Sequence, residues 1–245
     1  MVIEVRKLLR RWRLVYGVVG LMLLSTLLVE VTGDSDAPMA IAGTKTPDKV
    51  VAITFDHSWG NTFTPAILDT LKEKNVKATF FLMGPWAKKY PDVAKRIHAE
   101  GHEIASHGHK HDNYGEKSAE WVKADITTAS NELHEVVGVT PTLLRPPNGS
   151  YNKESLQVTK ELGMQTIIWN IDSLDWKNPG REVIIDRVLK RLKTGGIILL
   201  HASDTPRQTA DALPELIDRI RQEGYEIVTV GDLLANHAQE GLLRH

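Results

Sequence analysis

From Val50 onward, short apolar runs alternate with amphipathic stretches. The apolar runs fall at 50–55, 78–82, 102–106, 142–144, 166–169, 196–200 and 226–230. They are short, rich in β-branched and aromatic residues, and apolar at successive positions. That pattern predicts strands buried on both faces of a parallel sheet. Helical spacing predicts helices between them, over 65–74, 92–100, 118–137, 153–162, 182–192 and 209–222. Pro91 suits a first helical turn, and Gly138 and Gly163 suit C-terminal caps.

Seven strand–helix alternations imply parallel strands joined by right-handed crossovers. The expected fold class is α/β, a distorted or incomplete (β/α) barrel with about seven parallel strands. A doubly wound sheet is the alternative. In both, functional groups gather at the C-terminal ends of the strands. The expected domain lies at 48–236, after a polar, proline-containing linker at 34–47 and before a C-terminal tail at 237–245.

The first 33 residues read as a targeting element. Five basic side chains (Arg6, Lys7, Arg10, Arg11 and Arg13) precede an uncharged, mostly apolar run from Leu14 to Val29. A helix of that run covers ~24 Å against a hydrocarbon core of ~30 Å, and flanking Trp12 and Arg13 can extend it by snorkelling. Positive-inside logic places the remainder of the chain outside the cytoplasm. The expectation is an extracytoplasmic domain anchored to the cell membrane. Ala40-Ile41-Ala42 offers a cleavage pattern for a secreted alternative.

Composition narrows the chemistry. Net charge is −1, and the chain beyond its N-terminus is mildly acidic, so nucleic acid is not an expected partner. The absence of cysteine excludes disulfides, thiolate metal sites and Cys nucleophiles. Any metal must rest on His, Asp or Glu.

Such residues cluster at predicted strand ends. Asp56-His57 follow the first, His107, His109 and His111 the third, Arg145 the fourth, Asp172 and Asp175 the fifth, and His201 the sixth. The His107–His111 segment suits a divalent ion, and spacing leaves open which two histidines bind. Asp56 has the place of a general base, with Arg145 holding its second oxygen. His201 beside Asp175 suits a general acid. Trp59, Trp86 and Trp176 also follow strands, where they serve either as sugar-stacking surfaces or as core.

These motifs resemble the NodB-homology polysaccharide deacetylases, and among them the PdaB-like sporulation group. The resemblance covers about residues 48–235. Thr54-Phe55-Asp56-His57 resembles the family's Thr-Phe-Asp-Asp. His107 to His111 resembles its His-x-x-x-His. Arg145-Pro146-Pro147-Asn148-Gly149, Asp172-Ser173-Leu174-Asp175-Trp176 and Leu199-Leu200-His201 resemble three further motifs. The resemblance implies metal-dependent hydrolysis of N-acetyl groups on an envelope glycan, either peptidoglycan or an N-acetylglucosamine oligomer. Asp56 takes the base position and His201 the acid position, with Arg145 and Asp175 supporting them. His57, His107 and His111 take the metal positions, for Zn²⁺ or else Co²⁺ or Ni²⁺. Pro147, Asn148, Trp176 and Leu199 line the substrate pocket, with a backbone N–H near Asn148 as oxyanion donor. His57 stands where the family has aspartate, and Asn148 where it has an aromatic. These departures motivate one alternative, a catalytically impaired glycan-binding protein of the envelope or spore. An O-acetyl sugar esterase is the other.

Overall fold

The computed structural model describes residues 37–239 and 241–245. Among them no helix is long and apolar enough to cross a membrane. The expected anchor or signal segment at 1–33 lies outside the described residues.

The strands are β1 (Ala40–Thr44), β2 (Val50–His57), β3 (Thr79–Leu82), β4 (Glu103–Ser106), β5 (Leu143–Leu144), β6 (Gln165–Ile167), β7 (Ile171–Asp172), β8 (Gly196–His201), β9 (Glu226–Val228) and β10 (Leu242–Arg244). The helices are α1 (Thr64–Glu73), α2 (Gly84–Lys89), α3 (Pro91–Ala99), α4 (Ala119–Val137), α5 (Lys153–Glu161), α6 (Arg181–Leu189), α7 (Thr209–Gln222) and α8 (Val230–Asn236). Local signals explain several boundaries. Ser118 caps α4 by accepting from the Trp121 N–H, and Gly138 ends it at φ 78°. Asn152 and Ser155 form a reciprocal capping box at the start of α5.

Seven strands close a ring in the order β1-β6-β5-β4-β3-β2-β8, and the Gly43–Gly196 pairing returns β8 to β1. The other six neighbour pairs are parallel. The (β/α) barrel expected from the alternation is therefore present, but its seventh member is not the predicted one. The run at 226–230 divides into β9, which pairs only with the start of β2, and the first residue of α8. Its place in the ring is taken by β1, which falls within the expected linker. Ala40, Ile41, Ala42 and Thr44 are all buried, so this segment is barrel wall and not linker. The expected C-terminal tail likewise contributes β10, antiparallel to β1. β1 is five residues broken by Gly43 and β10 is only Leu242-Leu243-Arg244, so period alone does not mark them.

Alternation along each strand divides the core into two layers. Val51, Ile53 and Phe55 of β2 pack outward with Ile67, Leu68 and Leu71 of α1 and with Trp86 of α2. Val50 and Ala52 face inward with Phe81, Ala105, Leu143 and Ile197. Val230 and Leu233 of α8 join this inner layer. The start of α8 is held by Thr79, which accepts from the Val230 N–H at 2.8 Å, and by Glu103, which accepts from the Gly231 N–H at 3.0 Å. The N-terminal end of the barrel is thereby filled, and the opposite end is left for chemistry.

Candidate functional site

The alternation that sorts the core also selects the residues of the cleft. Val50, Ala52, Thr54 and Asp56 share the inner face of β2. By the same parity Ala105 precedes an inward His107, Leu143 an inward Arg145, and Ile197 and Leu199 an inward His201. At the C-terminal ends of the strands these groups meet around a cavity of about 410 Å³. It is lined by Asp56, His107, His111, Asn148, Trp176, Leu199 and His201, with Trp59 and Trp169 completing the walls.

Arg145 is completely buried behind this cavity. Its Nη1 donates to Asp56 Oδ1 at 2.7 Å and to Thr54 Oγ1 at 2.8 Å, and its Nη2 donates to the Ile168 carbonyl at 3.2 Å. The guanidinium also lies 4.0 Å from the Phe81 ring centroid. One oxygen of Asp56 is therefore fixed, and Oδ2 is left towards the cleft. Burial pushes the Asp56 pKa upward, but the charge of Arg145, then those of His107 and His201, outweighs it. The net shift is downward, so the group is an ionised base.

Asp175, fully buried, holds His201 from behind. Its Oδ1 accepts from His201 Nδ1 at 2.8 Å. Its Oδ2 accepts from the His201 backbone N–H at 2.8 Å and from the Thr209 hydroxyl at 2.7 Å. This fixes Nδ1 as the donor towards Asp175 and turns Nε2 to the cleft. Burial opposes the charged imidazole. The hydrogen bond and charge of Asp175 outweigh burial and raise its pKa, as a general acid requires.

The histidine cluster separates into three roles. His107 Nδ1 donates to the Arg145 carbonyl at 2.8 Å, leaving a Nε2 lone pair 3.8 Å from Asp56 Oδ2. Burial depresses its pKa to about 4. The rings of His107 and His111 are 5.3 Å apart. His109 turns away and pairs with Glu132 of α4 at 2.8 Å. Asp125 holds the intervening loop by accepting from the His109 and Lys110 N–H groups and from the Tyr114 hydroxyl. Spacing leaves the pair open; the fold brings together His107 and His111.

His57 does not join them. It follows Asp56 on β2 and therefore faces the opposite side of the sheet. Its ring lies 3.8 Å from that of Trp86, and Nε2 is 2.7 Å from Thr64 Oγ1. The side chain is fully buried, Nδ1 has no partner among the described residues, and burial depresses its pKa to about 3. The expected set of His57, His107 and His111 is thus not assembled. Among the described residues no three His, Asp or Glu side chains converge as metal ligands. Catalytic zinc sites use three protein ligands, and two imidazoles alone do not fit one.

The turn after Arg145 supplies a backbone donor. Gly149 N–H bonds to Pro146 O and Ser150 N–H to Pro147 O, while the Asn148 N–H has no acceptor among the described residues. Asn148 sits at φ 58°, a conformation asparagine tolerates, and its side chain donates to Asn113 Oδ1 at 2.9 Å. Pro147 is buried beneath the turn. Of the three tryptophans singled out by sequence, Trp59 and Trp176 are 49% and 46% exposed at the cleft mouth, while Trp86 is core. Sequence reasoning misses Thr54, which accepts from Arg145, and Thr209, which donates to Asp175. It also misses Trp169 as a wall. Thr54 is readable as the inward position two before Asp56; Thr209 and Trp169 carry no comparable signal.

The sequence matches the family described as Polysaccharide deacetylase over residues 43–167. A peptidoglycan-N-acetylglucosamine deacetylase of Bacillus cereus is 38% identical over 190 residues, covering 76% of this chain and 89% of that protein. The peptidoglycan-N-acetylmuramic acid deacetylase PdaA of Bacillus subtilis is 34% identical over 193 residues, covering 77% and 73%. This chain spans between 58% and 89% of the length of the first three curated relatives it matches. Among solved structures, BA3943 of Bacillus anthracis is described as a CE4 family pseudoenzyme. It superposes with a TM-score of 0.78 at 30% identity, covering 82% of this chain and 70% of that one. A mutant of BA3943, described as having restored enzymatic activity, also gives 0.78 at 31% identity, covering 82% and 73%.

Proposed function

The chain belongs to the polysaccharide deacetylase family, and from that premise we propose that it hydrolyses N-acetyl groups on amino sugars of peptidoglycan. The observation that carries this reading is the opposition of two prepared groups across one cleft. Asp56 is an ionised base held by Arg145, and His201 is an imidazole whose proton Asp175 retains.

In this reading water attacks the acetyl carbonyl carbon while Asp56 takes its proton. The carbonyl oxygen becomes an oxyanion, and the Asn148 N–H is the backbone donor available to it. One such donor is worth ~10²–10³ in rate. Collapse breaks the C–N bond, and His201 protonates the departing amine. Acetate and the free amino sugar result. Trp176 and Leu199 flank the acetyl group, and exposed Trp59 offers a face for a neighbouring sugar. The basic N-terminal residues support placing the domain outside the cytoplasmic membrane, where peptidoglycan lies.

Among the described residues a divalent ion has only His107 and His111 to bind, so no step is routed through one. That observation favours a second reading, a glycan-binding protein with impaired catalysis, and the likeness to BA3943 accords with it. The discriminating measurement is acetate released from peptidoglycan, from N-acetylglucosamine oligomers and from O-acetylated sugars, each with chelator and with added Zn²⁺. The proposal expects release from N-acetyl substrates that is lost in Asp56→Asn. Glycan binding with no release under any condition would establish the second reading. Release from O-acetyl substrates alone would make the protein an esterase.

A further inference from the structure

The cleft has a neighbour that shares its wall. A second cavity, of about 440 Å³, has Trp169 and Asp172 in its lining, as the cleft does. It forms where β10 lies along β1 and where the chain passes from α6 to β8. Arg191, Lys193 and Arg244 line it, all three exposed, and none has a carboxylate partner among the described residues. The guanidinium of Arg191 makes one bond, to the Arg187 carbonyl at 3.4 Å. Among the described residues, the one lining side chain of opposite sign is Asp172, and its Oδ1 already accepts from the Leu174 N–H at 2.9 Å. Asn170 also lines the cavity, and its Nδ2 donates to no acceptor among the described residues. In a chain of net charge −1 this is a local reversal of sign at a built concavity, beside an indole face.

We propose that this cavity is an anion subsite, which receives a carboxylate carried by the glycan whose neighbouring sugar occupies the cleft. The proposal rests on the glycan reading above and narrows its substrate class to acidic strands. Arg191, Lys193 and Arg244 supply the charge, and Trp169 and Asp172, which line both cavities, belong to the wall that subsite and cleft share. Two sources carry such a group in peptidoglycan. One is the lactyl carboxylate of a muramic sugar without its peptide, and the other is a carboxylate of the peptide stem.

The test compares the wild type with the Lys193→Gln, Arg244→Gln double variant, at two exposed positions outside the catalytic machinery. Calorimetric dissociation constants are measured at low salt for N-acetylglucosamine oligomers, for peptide-free peptidoglycan strands and for peptide-bearing strands. The proposal expects the variant to bind at least one acidic strand about fivefold more weakly, as the loss of two exposed ion pairs implies, with the neutral oligomer little changed. The difference should vanish near roughly 0.5 M salt. The strand that responds identifies the source. An equal change on all three ligands, no change on any, or no binding by the wild type would overturn the proposal. Acetate release in the same samples keeps the two readings apart. Binding that depends on these cations without release sinks the deacetylase reading and leaves the subsite standing.

Discussion

Replacing Arg145 with methionine tests how the cleft is powered. Methionine keeps much of the side chain's apolar bulk against Phe81 and Trp169 and removes the charge. Three hydrogen bonds vanish, to Asp56, Thr54 and the Ile168 carbonyl, and Asp56 is left ionised and 5% exposed with no guanidinium beside it. Removing one member of a buried pair costs about 3–5 kcal/mol, because the other charge remains uncompensated. The charge of Arg145 is also the largest influence lowering the Asp56 pKa, and its hydrogen bond adds to it, with burial opposing both. That pKa must therefore rise, and the acidic limb of the pH–rate profile must move to higher pH. Urea unfolding of Arg145→Met, Asp56→Asn and the double variant gives the coupling, while acetate release against pH gives the limb. The two singles should sum to at least about 2 kcal/mol more than the double costs, since neither charge is then stranded. Additivity within about 0.5 kcal/mol, or an unmoved acidic limb, would refute the account.

Asp175→Asn should lower the His201 pKa, because the bond and charge that raise it are lost while burial remains. In the wild type this pairing contributes stability that is complete below the unfolded value near 6.5 and is lost as pH rises through the folded one. In the variant the alkaline limb of activity should shift to lower pH, and an NMR titration of the imidazole measures the change directly. His57→Ala should cost about 2–3 kcal/mol of stability through the Thr64 bond and the Trp86 contact, yet leave Zn²⁺ affinity within about twofold. A tenfold loss in zinc calorimetry would show that His57 is a ligand. Burial depresses His102 to about 4, so the unfolded chain takes up its proton first as pH falls from 6.5. Stability should drop over that window by up to about 1.4 kcal/mol per pH unit, and His102→Gln should flatten the slope in denaturant melts at stepped pH.

The barrel is legible in the sequence because its parallel strands are buried on both faces and therefore stand out as apolar runs. The site is legible because chemistry in such folds sits where those runs end. Asp56, His107, Arg145 and His201 are found in this way, and the same reasoning misplaces His57. Adjacency in sequence suggests that it shares the cleft with Asp56. A period of two says the reverse once both residues lie within β2, since successive side chains point to opposite faces. An apolar run that ends at Phe55 stops two residues short of the strand, and so hides that argument. β1 and β10 escape notice for a different reason. They are paired by partners remote in sequence, and nothing local in Ala-Ile-Ala-Gly-Thr distinguishes a barrel stave from a spacer.

The position of β1 also sets an order of events. It precedes every other strand of the ring, yet its partners in β6 and β10 come from the far half of the chain. Five staves, β2 to β6, can be laid side by side by successive crossovers, whereas β8 returns to β2 and β1 joins β6 only through contacts of high sequence separation, which are slow to form. Until then the edges of β6 and β8 have unpaired backbone groups. The folding barrel therefore passes through an open-sided stage, and residues 40–44 act as its latch. Cleavage between that latch and β2 should leave the catalytic side chains intact in sequence but lift the constraint that keeps their staves in a circle.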